Sequence, residues 1–250
     1  MSAESITLIA LIILAGIGFV SALISTFLEG HRLFSRDWWS NWLQGISTEM
    51  AGAIVTAILL GLVVGVVQDR EAETALQGQL IREMGSPDNG FAIRAARELR
   101  AREWLTDGTM AGANLERANL EEAQLFGASL MEVNFTSATL EDANFTNANL
   151  SGADLRSANA SGASLTFTNL QNAVLRRTNL QEAQLVGCDL TGANMVAANL
   201  TDAVFNNSTI LPDGTNWSAD VDMGRFTDSM HPEYWRSDDE ESPAYEEPES

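Results

Sequence analysis

From residue 5 to 28 the chain runs 24 positions without a charge, and from 50 to 68 another 19. A helix needs ~20 apolar residues to cross ~30 Å of hydrocarbon. The pattern therefore predicts two membrane spans, at about 6–28 and 50–68, folded as a hairpin that occupies residues 1–69. Ser47 and Thr48 stand where the second span needs an N-cap. The connection, 29–46, holds Trp38, Trp39 and Trp42, residues that settle at the headgroup level. A cleaved signal peptide fits the first run less well, because the chain opens Met-Ser-Ala-Glu-Ser where a basic n-region belongs. Gly61 and Gly65 form a small-xxx-small pair that serves first for packing against the first span and also permits homo-oligomer formation.

Residues 70–107 read as a helical connector. Leu76, Leu80, Ile81 and Met84 recur at helical spacing, so the second span continues out of the bilayer until Gly85 stops it. Ser86 and Pro87 open a further helix as N-cap and first helical residue, with Ala92, Ala95, Ala96 and Leu99 on one stripe. That stripe, with Trp104 and Leu105, is expected to lie over the first layer of the domain beyond it.

From Ala113 to Ile210 the pattern recurs every five residues. Twenty centres run from Leu115 to Ile210, of which fourteen are Leu and three Phe, and two positions before each centre fifteen of twenty are Ala. A period of five matches neither the 3.6 of a helix nor the two of a strand, so the chain must turn at every repeat to bury these positions. Four pentapeptides close one square coil with Leu or Phe inward at the middle of each side, and coils pair at ~4.8 Å. The expected fold class is mainly β: about five coils over residues 108–212, preceded by two transmembrane helices and the connector. Ala160 stands at a centre and should leave a void worth ~1 to 3 kcal/mol relative to Leu.

The repeats of 113–210 resemble the pentapeptide-repeat family, which implies a right-handed quadrilateral parallel β-helix. Residues 81–105, from Ile-Arg-Glu-Met-Gly-Ser-Pro-Asp-Asn-Gly to Arg-Glu-Trp-Leu, look like the helical segment before the repeats in bacterial membrane-anchored members. Residues 211–217, Leu-Pro-Asp-Gly-Thr-Asn-Trp, are similar to the exit of many such arrays. Beyond them Trp217, Phe226, Tyr234 and Trp235 suggest an irregular cap over 213–236, and seven acids among the last fourteen residues predict a disordered tail, 237–250.

Charge narrows the functional classes. The 250 residues carry 34 acids and 14 bases, every base an arginine, for a net charge of −20. Nucleic acid and anionic lipid headgroups are polyanions and fit poorly as non-specific partners. With only His31, His231 and one cysteine, Cys188, no triad, thiolate cluster or histidine metal site assembles, so no catalytic, cofactor-binding or metal residue is assigned and no enzyme activity is expected. Outward acidic corners rarely give a cation its six to eight oxygens.

A 20-residue offset stacks the trailing residues. Glu121, Glu122, Glu141, Asp142, Glu182 and Asp202 fall on one edge, Arg117, Arg156, Arg176 and Arg177 on another, and Phe126, Phe167 and Val186 on a third. The reading is a membrane-anchored scaffold, embedded in the lipid bilayer, whose acidic edge meets a basic protein partner. Arginine counts on the two flanks of the second span tie, and Arg94, Arg97, Arg100 and Arg102 tip the repeat domain towards the cytoplasmic face of a bacterial inner membrane. The resemblance also implies an alternative, because some members mimic duplex DNA and occupy DNA gyrase. Duplex DNA carries one charge per ~1.7 Å, about fourteen over a 24 Å stack, and the array holds ten acids against four arginines, a net of −6.

Overall fold

A computed structural model describes residues 36–240 and 242–245, with side chains of the first helix described at Ser40, Gln44 and from Thr56 onward. The chain divides into two units, Met1–Thr74 and Ala75–Ser250.

Helix α1 runs unbroken from Arg36 to Met84, 49 residues. The expected connection between spans is therefore helical from Arg36, and Ser47 and Thr48 lie inside α1 instead of capping it. No proline interrupts residues 36–84, and serine or threonine within a helix costs only tenths of a kcal/mol, so nothing in this stretch stops the helix. The expected span 6–28 lies outside the described residues. Among the described residues no helix is long and apolar enough to cross a membrane. Within 50–68 the side chains are described only from Thr56, and 13 residues rise about 20 Å at 1.5 Å each. Along that stretch eight apolar residues, among them Ile58, Leu62 and Val66, are 44 % to 61 % exposed.

In the second unit the last turns of α1 bury Leu80 and Met84 in the core. Helix α2, Asn89–Ala101, buries Ala92, Ala95, Ala96 and Leu99. Its N-cap is Asp88, whose Oδ1 accepts the Phe91 N–H at 3.1 Å, while Ser86 Oγ accepts the Asp88 N–H. The expected Ser86 cap thus moves two residues on, to Asp88, whose own extended backbone (φ −87°, ψ 115°) and side chain meet the first free N–H groups of α2. The segment covers the first coil through main-chain bonds: Asn119 N–H donates to Ser86 O and Ser129 N–H to Leu105 O.

The array is a stack of coils joined by parallel bridges between residues 20 apart, from Asn114 with Asn134 to Gln184 with Val204. Each turn is closed by a bond such as Ala118 N–H to Leu115 O. The second residue after each centre from Leu115 to Leu200 takes a positive φ, as at Arg117 (59°), Ser137 (58°) and Gly162 (68°). A β-turn whose third residue is left-handed is the type II arrangement, and repeating it every five residues bends the chain into a square. Centres and the small residues two before them are buried from Ala113 to Met195. Ala160 is as fully buried as its leucine counterparts.

Two polar features complete the side walls. The residue between the two inward positions bonds to its counterpart one coil away: Asn179 Nδ2 donates to Asn159 Oδ1 at 2.8 Å, and Asn199 Nδ2 to Asn179 Oδ1 at 2.9 Å. The same oxygen accepts the N–H two residues on, as Asn134 Oδ1 does from Thr136 at 2.9 Å. Where threonine replaces the small inward alanine its hydroxyl is satisfied, Thr168 donating to Phe145 O and Thr178 to Leu155 O, both at 2.8 Å.

The strict register ends one repeat early. Asp189 bridges Ile210 at an offset of 21, and Thr209, not Ser208, is the buried small residue, donating from Oγ1 to Leu185 O at 2.8 Å. The expected twentieth centre, Ile210, is only half-buried and Leu211 takes the inward place. One extra residue is absorbed in the loop at Asn206, whose Oδ1 accepts the N–H groups of Gly187 and Ser208.

Beyond the array Phe205 stacks on Trp217, with centroids 5.9 Å apart. A short helix, α3 (Gly224–Thr227), buries Phe226 and ties to the last coil, Ala197 N–H donating to Thr227 O at 2.7 Å. The tail expected to be disordered from Ser237 is seated on the coils as far as Tyr245. Ser242 and Ala244 are buried, Ser242 Oγ donates to Gly192 O at 3.0 Å, and Asn194 Nδ2 donates to Pro243 O at 2.6 Å. Composition missed this because the contacts are made by the four neutral or apolar residues Ser-Pro-Ala-Tyr between two acidic stretches. Residues 246–250 lie outside the described residues.

Candidate functional site

Each corner presents two trailing residues. On the corner that carries the predicted acidic edge these are Glu121 and Glu122, Glu141 and Asp142, Ser161 and Gly162, Gln181 and Glu182, Thr201 and Asp202. The ladder bonds fix the order: Glu122 N–H donates to Glu141 O at 2.8 Å and Asp142 N–H to Ser161 O at 2.9 Å. The six acids therefore share one corner and all six are exposed. They do not form an unbroken line. Ser161 and Gly162 divide a group of four on the first two coils from Glu182 and Asp202 beyond.

Glu122, Asp142, Glu182 and Asp202 occupy the left-handed position, with φ between 54° and 59°. That conformation turns their side chains along the stack. The Asp142 carboxylate lies over Gly162, occupying the place that a Cβ there would need. Glu141 Oε2 accepts Asn159 Nδ2 at 3.2 Å, and Glu182 Oε1 accepts Gln181 Nε2 at 3.0 Å. Asn89 of α2 donates to Glu121 O at 3.0 Å, tying the connector to the head of this corner. Among the described residues none of the six makes an ion pair.

The preceding corner collects the arginines. Arg156 is held by Asp154 through a charge-assisted bond to Oδ2. Burial pulls the Asp154 carboxyl up, but the hydrogen bonds and positive charge of Arg156 prevail and hold it below its ordinary value. Arg117 lies 3.6 Å from Glu116, and Arg176 and Arg177 are exposed. The third corner is less bare than expected. Phe126 lies under the Arg100 guanidinium, 3.9 Å from its centroid, while Arg100 also donates to Gln124 O and Phe126 O. Phe167 remains 59 % exposed, its ring over Gly187.

Cys188 occupies an inward place in the wall. Burial and then the nearby Asp189 carboxylate push its thiol up to about 12, so it is protonated at neutral pH and inert as a nucleophile. Among the described residues no group of histidine, cysteine and carboxylate side chains could hold a metal ion. The sequence offers signals for the corner residues through the five-residue period, but none for the asparagine ladder or the tail contact.

Residues 105–136, 128–166 and 168–207 match the pentapeptide repeats family, in 8 copies. No curated protein matches the chain. Among solved structures, a pentapeptide repeat protein from the cyanobacterium Cyanothece 51142 is 36 % identical over 40 % of this chain, with a TM-score of 0.32. The chain spans 64 % of that protein's length. A pentapeptide repeat protein of the Arabidopsis thaliana thylakoid lumen is 28 % identical over 44 % of this chain and 80 % of its own, with a TM-score of 0.40. QnrB1, a plasmid-mediated fluoroquinolone resistance protein, is 23 % identical over 39 % of this chain and 63 % of its own, with a TM-score of 0.18.

Proposed function

We propose that this protein, whose residues 105–166 and 168–207 match the pentapeptide repeats family, is a non-catalytic scaffold, anchored in a bacterial inner membrane, whose acidic corner docks a basic protein surface on the cytoplasmic side. The observation that carries the reading is the group of Glu121, Glu122, Glu141 and Asp142. Four carboxylates sit on adjacent coils, exposed and without an ion pair among the described residues. Like charges one coil apart repel, which is a modest cost that a cationic partner would relieve. The ladder on either side keeps the corner in place, so little ordering entropy is lost on docking.

Two features support the anchor. The uncharged runs 5–28 and 50–68 have the length of spans, and the large apolar residues between Ile58 and Val67 are 44 % to 61 % exposed among the described residues. A methyl built on Gly61 or Gly65 meets nothing within 4 Å among the described residues, which leaves that side open to the first span or to a second copy.

Reversing the four charges to lysine should leave the melting temperature within a few degrees of the parent and abolish recovery of a crosslinked partner from membranes. Unchanged recovery would remove this corner from the proposal. Release of the full chain from membranes by alkaline carbonate would remove the anchor.

A further inference from the structure

A second binding feature lies on the arginine corner and uses none of the acidic-edge residues. Where the tail returns to the array it leaves a cleft of about 560 Å³ between the coils and Pro243, a size within the usual range of ligand sites. Arg156 comes from one coil, Arg176 and Arg177 from the next, and Val174 supplies an apolar patch. Arg156 is oriented by Asp154, whereas Arg176 and Arg177 make no ion pair among the described residues. In a chain of net charge −20, three of its 14 arginines thus converge on one opening.

The nature of the occupant is set by the charge and shape of the opening. Beside it the chain's own Ser242–Tyr245 turn is held in place, Asn194 Nδ2 donating to Pro243 O and Ser242 Oγ donating to Gly192 O. We infer that the cleft is a docking site for an acidic peptide segment of a partner protein, its carboxylates paired with Arg176 and Arg177. Planar guanidinium groups bind carboxylates in bidentate fashion, and two adjacent arginines with a third one coil away suit several carboxylates in a row.

The test is fluorescence anisotropy of a labelled hexaglutamate peptide against the full-length protein in detergent at physiological salt. The parent should bind, and the Arg176→Glu/Arg177→Glu variant should bind at least tenfold more weakly with an unchanged circular dichroism spectrum. If that variant misfolds, Arg176→Gln/Arg177→Gln takes its place. Arg117→Glu, on the same corner but outside the cleft, should bind as the parent does. Absence of binding to the parent, equal affinity in the double variant, or equal loss in Arg117→Glu would each overturn the inference. Displacement of the peptide by equimolar inorganic pyrophosphate would also overturn it, assigning the cleft to small oxyanions. The four-lysine variant of the acidic corner should retain this binding, so the two sites stand or fall separately.

Discussion

Asn179 reaches one coil down the wall and donates from its Nδ2 to Asn159 Oδ1 at 2.8 Å, while its own Oδ1 accepts from Asn199. These amides, half-buried at Asn159 and Asn179 and exposed at Asn199, form a second ladder beside the main-chain one. Asn179 Oδ1 also accepts the Gln181 N–H that opens the next turn, at 3.3 Å. Asn179→Ala removes all three bonds, and at about 1 kcal/mol each it should cost roughly 1–3 kcal/mol in urea unfolding. Asn147→Gly, at a corner where φ is already 58°, should change stability by less than about 0.5 kcal/mol.

The register at the end of the array is tested by a pair of truncations. Leu211 is fully buried and Ile210 is not, so Leu211→Ala should cost about 2–5 kcal/mol and Ile210→Ala less than about 1.5. Equal costs, read from thermal melts, would restore the uninterrupted five-residue period.

Cys188 gives a kinetic probe of the closed stack. With its thiol pushed up to about 12 and no exposed surface, it should resist iodoacetamide at pH 8 in the folded protein and react once urea opens the coils. Rapid alkylation without denaturant, seen by mass spectrometry, would contradict the inward placement.

Two carboxylates set the acid limit. Asp154 is held below its ordinary value by Arg156 against the opposing effect of burial, and Asp189 by its bonds from Thr191 and Gln171, again against burial. A depressed folded pKa contributes stability above the unfolded pKa, about 4, and that contribution is lost as pH falls through the lower folded value. Asp154→Asn and Asp189→Asn should therefore be less stable than the parent at pH 7, with the difference shrinking below about pH 4. A difference that persists at pH 2 would mean that the side chains act through packing alone.

Gyrase supercoiling separates the scaffold from a DNA mimic. Six of the array's ten acids lie on one corner and its four arginines on the preceding one, so no face carries the continuous charge of a duplex. The full-length protein should leave supercoiling unchanged at micromolar concentration, and strong inhibition would displace the scaffold reading.

The coil stack was legible because burying Leu and Ala at fixed offsets admits few solutions, and the offset of 20 placed the six acids on one corner. What escaped sequence reasoning has particular causes. Asn159, Asn179 and Asn199 read as solvated wall residues, since a hydrogen bond between side chains 20 positions apart leaves no local signature. Thr209 reads as the wall residue between Ser208 and Ile210 because one insertion in Asn206-Asn207-Ser208 shifts the inward set without altering composition. Asp88, and not Ser86, caps α2, and both are good N-cap residues two positions apart, so residue type alone does not separate them. The tail was judged by its charge, whereas its contacts come from Ser242 and Ala244.

The left-handed turn at every corner divides labour within each pentapeptide. Two positions plug the interior, the side chain of one links the layers, and the two at the bend continue the main-chain ladder while their side chains stay out of the core. A protein built this way can have its exterior rewritten bend by bend, acid here and arginine there, while the interior stays as it was. Opposite charges on neighbouring corners are one product of that freedom.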